Sequence, residues 1–160
     1  MENKYLEIFF WSMAPITELR LSVPLGVLEY ELDWIRVLLF CILGNFLICI
    51  PLINLLSYLD RLSAKSSFLN AILNKIYSRT RSKTKIINNY KYLGVICFVG
   101  IPLPFTGAWT GCFASHLLGL NKKKTLLSIL AGLIISSTIV ILVIFFAQHL
   151  LSWIGYEANN

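Results

Sequence analysis

Two long stretches of the chain hold no charge at all. From Val37 to Leu56 and from Leu126 to Ala147 there is no Asp, Glu, Lys or Arg. About 20 apolar residues at a rise of about 1.5 Å each cross a hydrocarbon core of roughly 30 Å. The pattern predicts transmembrane helices over residues 35–57 and 125–148. Two further apolar stretches are interrupted. Tyr5 to Met13 is too short to cross and runs into Pro15, Glu18, Arg20 and Pro24, while Leu93 to Ile101 and Gly107 to Leu118 flank Pro102-Leu103-Pro104-Phe105-Thr106. An arm reaching mid-membrane needs about 10 helical residues. Residues 5–33 and 93–120 therefore read as re-entrant hairpins, each entering and leaving the bilayer from one side.

Residues 60–91 follow another pattern. Phe68, Leu69, Ile72, Leu73, Ile76 and Tyr77 fall on one helical face, with Lys65, Lys75 and Arg79 nearby. This predicts a basic amphipathic connector, either lying on an anionic membrane surface or simply solvated. Eight of the fourteen basic residues lie between Arg61 and Lys91, where no acid occurs. Cytoplasmic loops concentrate Lys and Arg, so this block and Lys122-Lys123-Lys124 are both expected inside. A hairpin between them keeps both on one side; a single crossing would not. The exit of the first hairpin carries Glu29, Glu31 and Asp33, suited to the outer face. The expected order is outer hairpin, inward span, cytoplasmic connector, inner hairpin, outward span and polar tail, with both termini outside a cell (inner or plasma) membrane.

An internal likeness links the halves. Pro15-Ile16-Thr17 and Pro104-Phe105-Thr106 share P-x-T, and a helix glycine follows 29 positions after Pro15, at Gly44, and 28 after Pro104, at Gly132. Two halves inserted in opposite senses, with a site where the breaks meet near the midplane, is a common transporter plan. The fold class expected is an all-α integral membrane protein, a single domain over 1–160 built of two inverted repeats.

Composition agrees. The chain is 57% hydrophobic and 14% charged, with a mean hydropathy of +0.72, outside the usual range for soluble domains. The formal charge of +6 is concentrated in the basic loops, so nucleic acid is not an expected partner; the lipid bilayer is. The opening Met1-Glu2-Asn3-Lys4 lacks the positive n-region of a signal peptide, and none is expected to be cleaved. Cys41, Cys49, Cys97 and Cys112 have no C-x-x-C or metal-ligand spacing and read as buried, reduced thiols. No metal or other cofactor is expected. Nor is enzymatic activity, since no nucleophile–base set appears and the two histidines, His116 and His149, fall on opposite sides of the expected topology.

Candidate chemistry centres on Glu18 and Arg20. A charge in mid-membrane costs about 3 kcal/mol on insertion scales, which makes function the default reading. Residues two apart on a helix face differently, so each could turn toward the other hairpin. Thr17 and Thr106 are placed to cap half-helices whose N-termini would point at the midplane. With Arg20 these would make an electropositive pocket for a phosphate or carboxylate. Hydrocarbon favours the neutral carboxyl and Arg20 the ionised one, so Glu18 is a candidate proton carrier; a structural ion pair is the alternative. Pro15, Pro24, Pro102, Pro104, Gly107 and Trp109 complete the candidate solute site. Gly107, Gly111, Ser115 and Gly119 recur every fourth position as a close-packing stripe. Asn45 and Pro51 are assigned to helix contacts and shape, with contact to a solute the alternative for Asn45, and His116 to the interface.

Ala14-Pro15-Ile16-Thr17-Glu18-Leu19-Arg20 with Val23-Pro24-Leu25-Gly26, and Pro102-Leu103-Pro104-Phe105-Thr106-Gly107-Ala108-Trp109-Thr110-Gly111, resemble the small multidrug export proteins, related in plan to the DedA or SNARE-associated membrane proteins. The resemblance implies a bacterial-type inner-membrane exporter with facing re-entrant loops; the DedA-like relatives look like carriers of lipid phosphates. Three readings stay open: a proton- or ion-coupled transporter of a small solute or drug, a flippase for an anionic lipid carrier of polyprenyl-phosphate type, and a non-transporting scaffold or regulator. A homodimer fits any of them. If both basic segments face the cytoplasm, single cysteines at Lys83 and Lys122 in a cysteine-free background will react with an impermeant maleimide from the same side of the membrane. Labelling from opposite sides would refute the second hairpin.

Overall fold

The computed structural model describes residues 2–63, 90–103 and 106–157, with side chains over 3–59, 90–103 and 106–155. The amphipathic helix expected from Phe68 to Tyr77 lies outside the described residues, as does Pro104. Among the described residues six α-helices run in order: α1 (Glu2–Met13), α2 (Glu18–Pro24), α3 (Trp34–Ser63), α4 (Lys91–Gly100), α5 (Ala108–Leu117) and α6 (Lys122–Glu157). A π-helical turn, Leu25–Glu29, extends α2, and no strand occurs among the described residues.

Local chemistry sets the helix ends. Asp33 Oδ1 accepts from the Arg36 N–H at 3.0 Å, and Asn121 Oδ1 from those of Lys123 at 3.0 Å and Lys124 at 3.4 Å, so an Asx residue caps each long helix. At the end of α5 the Leu120 N–H donates to the Ser115 carbonyl and that of Gly119 to His116. This Schellman closure needs the left-handed residue that Gly119 supplies at φ +64°.

Helices α3 and α6 carry the apolar windows Trp34–Leu59 and Lys122–Gly155. One side of each is buried against the other helices. The opposite sides leave Leu39, Leu43 and Leu47 on α3, and Leu142, Val143 and Phe146 on α6, exposed. A helix apolar all round has a hydrocarbon face to satisfy as well as a protein face, the pattern of a membrane protein.

Packing follows one scheme twice. Helix α1 lies along α3, and α4 along α6, while the second arms α2 and α5 each touch both long helices. The closest approaches fall at glycines. A Cβ on Gly44 would lie 2.5 Å from the Phe9 carbonyl oxygen of α1, and one on Gly132 would lie 2.7 Å from Val99 Cβ and 3.0 Å from the Ile96 carbonyl oxygen of α4. Phe9 precedes Gly44 by nearly the same interval as Ile96 precedes Gly132. The two glycines matched by spacing are therefore the two points where a first arm presses its backbone onto its long helix. Around them Ile8, Val37 and Cys41 are buried on one side, and Val95, Val99, Ile129 and Leu133 on the other.

Two expectations are corrected. Gly119 packs against none of the described residues, which leave the space within 4 Å of a Cβ there empty, because its role is to close α5. Gly111 does pack closely, 2.6 Å from Val99 Cγ2 by the same measure, and Ser115 is buried. Of the thiols, Cys41, Cys49 and Cys112 are buried, but Cys97 is exposed, since it lies on the outer side of α4.

Gly44→Ala and Gly132→Ala will each destabilise the detergent-solubilised protein by about 1–3 kcal/mol, the range for overpacking. Gly94→Ala, whose Cβ meets nothing within 4 Å, will be neutral. Thermal unfolding followed by circular dichroism distinguishes them; equal midpoints for all three would refute the close approach.

Candidate functional site

The breaks that end α1 and α4 face each other, and each uses side chains from the other. Glu18 stands where α2 begins, with its N–H on the Ala14 carbonyl at 3.0 Å and its backbone at φ +43°. A left-handed glutamate is uncommon and costs about 1–3 kcal/mol, held only where its surroundings over-determine it. Those surroundings are the start of α5. The Glu18 carboxylate is buried; its Oε1 accepts from the Trp109 N–H at 3.4 Å, and the Ala108 N–H also reaches it. Any Cβ on Gly107 would collide with the carboxylate. The glycine is thus the condition for a carboxylate to sit on the positive end of α5.

Arg20 makes the complementary contact. Its Nη1 donates to the Leu103 carbonyl, and its Nη2 to Thr106 Oγ1 at 2.9 Å and more weakly to the Ile101 carbonyl at 3.4 Å. Ile101 is the C-cap of α4, so a cation lies on the negative end of that helix. Trp109 closes the other side, its indole Nε1 donating at 3.0 Å to the carbonyl of Met13, the last residue of α1. Counted from the shared P-x-T, Arg20 and Trp109 occupy the same position, and so do Glu18 and Gly107. One such pair reaches across to carbonyls at the opposite break; the other pair meets face to face.

The threonines differ from expectation. Thr17 makes no side-chain cap but donates back to the Trp11 carbonyl. Thr106 precedes the N-cap, which is Gly107, and its hydroxyl turns back to the carbonyls of Leu103 at 2.8 Å and Ile101 at 2.9 Å. With the peptide chain pinned at proline, each hydroxyl finds the carbonyls left over where a first arm stops. The parts of the expected electropositive pocket are thus arranged differently. The N-terminus of α5 already holds Glu18, and the terminal nitrogens of Arg20 are engaged by a hydroxyl and two carbonyls. Glu18 and Arg20 both turn toward the second break, which resolves their partnership.

Above these groups opens a cavity of about 600 Å³, within the range of roughly 300–1,000 Å³ usual for small-molecule sites. Of the expected site residues Pro15, Glu18, Arg20, Pro102, Gly107 and Trp109 line it. Thr17 and Pro24 border a second cavity on the other side of α2, and Thr106 lies behind Arg20. Pattern reading missed Ile16, Leu21, Thr110 and Phe113 in the lining. Ile16 and Phe113 share it because the two breaks converge, which no local pattern displays. Asn45 is fully buried with Oδ1 unbonded, and its Nδ2 donates at 3.4 Å to Cys41 one turn away.

Arg20→Ala strands carbonyls at the end of α4 and will destabilise the protein by about 1–3 kcal/mol. Trp109→Phe, losing one neutral hydrogen bond, will cost about 1 kcal/mol. Unfolding midpoints measure both, and an unchanged midpoint for Arg20→Ala would contradict the cross-break contacts.

Residues 18–139 match the family described as "Putative small multi-drug export protein". No curated protein and no solved structure matches the chain. The match runs from Glu18 at the first break, through both long helices and the second break, over well more than half of the chain, which therefore belongs to the small multidrug export protein family.

Proposed function

We propose that the protein exports a small lipophilic solute through the cavity between the two breaks, with Glu18 as the group that links transport to protons. The observation that carries this is the cavity itself: a drug-sized, mostly apolar space with one buried carboxylate at its base, in a chain of an export family. With Glu18 on the amides of α5 and both terminal nitrogens of Arg20 bonded to the second break, the space on this reading takes a neutral or cationic solute in preference to an anionic headgroup.

The coupling follows from what Glu18 holds. As a carboxylate it binds the N-terminal amides of α5 and keeps the breaks together. Once protonated it loses most of its attraction to that helix end, and the second unit is freer to move against the first. Solute and proton then compete for the same carboxylate, as exchange requires.

On this reading the two units are inverted repeats with re-entrant arms. Its support lies in the repeated packing scheme, the matched glycines Gly44 and Gly132, and the reciprocal reach of Arg20 and Trp109. The basic segments face the cytoplasm and the acid-rich turn after α2 faces outward, in keeping with the distribution of positive charge.

In proteoliposomes loaded with a fluorescent lipophilic cation, an imposed pH gradient will accelerate wild-type release. Glu18→Gln will release dye at the rate of protein-free liposomes whether or not the gradient is present. Gradient-driven release that persists in a folded Glu18→Gln protein would remove Glu18 from the coupling.

A further inference from the structure

Buried polar side chains normally find partners, yet Asn45 Oδ1, Ser115 Oγ and Thr125 Oγ1 are buried and bond to no described residue. They mark one line. Ala108, whose N–H reaches the Glu18 carboxylate, begins α5, and Cys112 and Ser115 follow on its buried side. From α3 the Cys49 thiol meets that of Cys112 and lies within range of the Glu18 charge; it donates at 3.1 Å to the carbonyl of Asn45 one turn back. The register of α5 and α6 brings Ser115 and Thr125 opposite each other. A Cβ on Gly111 would stand 3.7 Å from Ile129 Cγ1, and the two helices join through Gly119, so the pair falls between that contact and the turn. Just before Thr125 the exposed Lys122-Lys123-Lys124 opens α6. The rise from Ala108 to Ser115 is only about 10 Å, a distance that a few water molecules span.

The other half has no such line. Counted from the shared motif and from the matched helix glycines, Cys112, Ser115 and Thr125 correspond to Val23, Gly26 and Val37, all buried. A Cβ on Gly26 would stand 2.8 Å from Val37 Cγ1 and 3.0 Å from Ile8 Cδ1, so this side is apolar and closed. The polar line is a departure from the repeat, and it leads from Glu18 to the basic end of α6.

We infer that water binds along Asn45, Ser115 and Thr125 and carries protons between Glu18 and the Lys122 end of α6. An oxygen buried without a protein partner is ordinarily satisfied by a water that bridges it to the next polar group. The O–H bond of the Glu18 carboxyl breaks toward the first water, and a proton is released to bulk water from the last, so that only a proton moves in net. Arg20 is the charged group beside Glu18, and its terminal nitrogens are held by the second break; the titratable groups facing from α3 and α5 are the thiols of Cys49 and Cys112. The proton thus has a route apart from the cavity of the solute. This purpose rests on Glu18 as the coupling group, whereas the binding of water does not.

The test follows S–H to S–D exchange by infrared spectroscopy after proteoliposomes are moved into D2O. With Cys41→Ala and Cys97→Ala the remaining thiols are Cys49 and Cys112. With Cys49→Ala, Cys97→Ala and Cys112→Ala the remaining thiol is Cys41, equally buried but packed in the closed half. Cys49 and Cys112 should exchange at least about tenfold faster than Cys41, since bound water reaches them without opening the fold. Ser115→Ala combined with Thr125→Val should bring their exchange down to the Cys41 rate and slow gradient-driven dye release severalfold. The unfolding midpoint of that double variant should hold or rise, because it loses hydroxyls that have no protein partner. Exchange of Cys49 and Cys112 at the Cys41 rate, undiminished exchange in the double variant, or a fallen midpoint would overturn the line of water, and slowed exchange with unchanged dye release would overturn the proton route. Fast thiol exchange in a protein whose Glu18→Gln variant still releases dye on the gradient would sink the coupling reading and leave the bound water standing.

Discussion

A carboxylate on the N-terminal amides of one helix and a guanidinium on the terminal carbonyls of another hold the molecule together where its chain is most broken. Hydrocarbon tolerates neither a lone charge nor an unpaired peptide group. Each break supplies both problems at once, because a helix that stops short leaves carbonyls behind it and amides ahead. Glu18 and Arg20 are the solution to the second break, and Trp109 to part of the first. The left-handed backbone at Glu18 is tolerable because releasing it would expose the amides of α5 as well as the acid itself. Strain, charge and dipole are thus satisfied together or not at all.

The two long apolar helices and the breaks were legible in the sequence because they rest on composition over many residues. Uncharged runs of sufficient length and prolines between short apolar arms leave few other structures open to the chain. The helix glycines Gly44 and Gly132 were legible for a related reason: equal spacing from a shared motif implies equal geometry. The contents of the site were harder. Thr17 and Thr106 have the chemistry of N-caps, yet carbonyls left over at the ends of α1 and α4 compete for the same hydroxyls and win. Glu18 takes the helix end instead, from a distance of some ninety positions in sequence. Gly119 fits a four-residue stripe as well as any member, but a positive φ at a helix terminus leaves no local mark that distinguishes it from packing.

This exchange of partners alters the chemistry of the cavity. Free amides and a free Arg20 would have favoured a phosphate. With the amides on Glu18 and the terminal nitrogens of Arg20 on the second break, what remains facing the cavity is mainly proline, isoleucine, leucine and aromatic surface. A space of that kind discriminates little among lipophilic molecules, since dispersion and desolvation do not depend on a particular arrangement of hydrogen bonds. Breadth of solutes, which the family's name implies, is the natural property of such a lining.

The asymmetry at the centre gives the arrangement its direction. Positions 18 and 107 correspond through the shared motif and meet face to face, but one carries a carboxylate and the other no side chain at all. Two carboxylates there would repel each other and lack amides enough to satisfy both, while two glycines would leave the cavity without an acid. One acid opposed by one glycine is the combination that is both sterically possible and able to bind a proton. On the proposed inverted arrangement, that single carboxylate lies near the axis relating the halves. It would then remain close to the centre of the cavity whichever side the cavity opens toward, as a group that must be reached alternately from both sides has to.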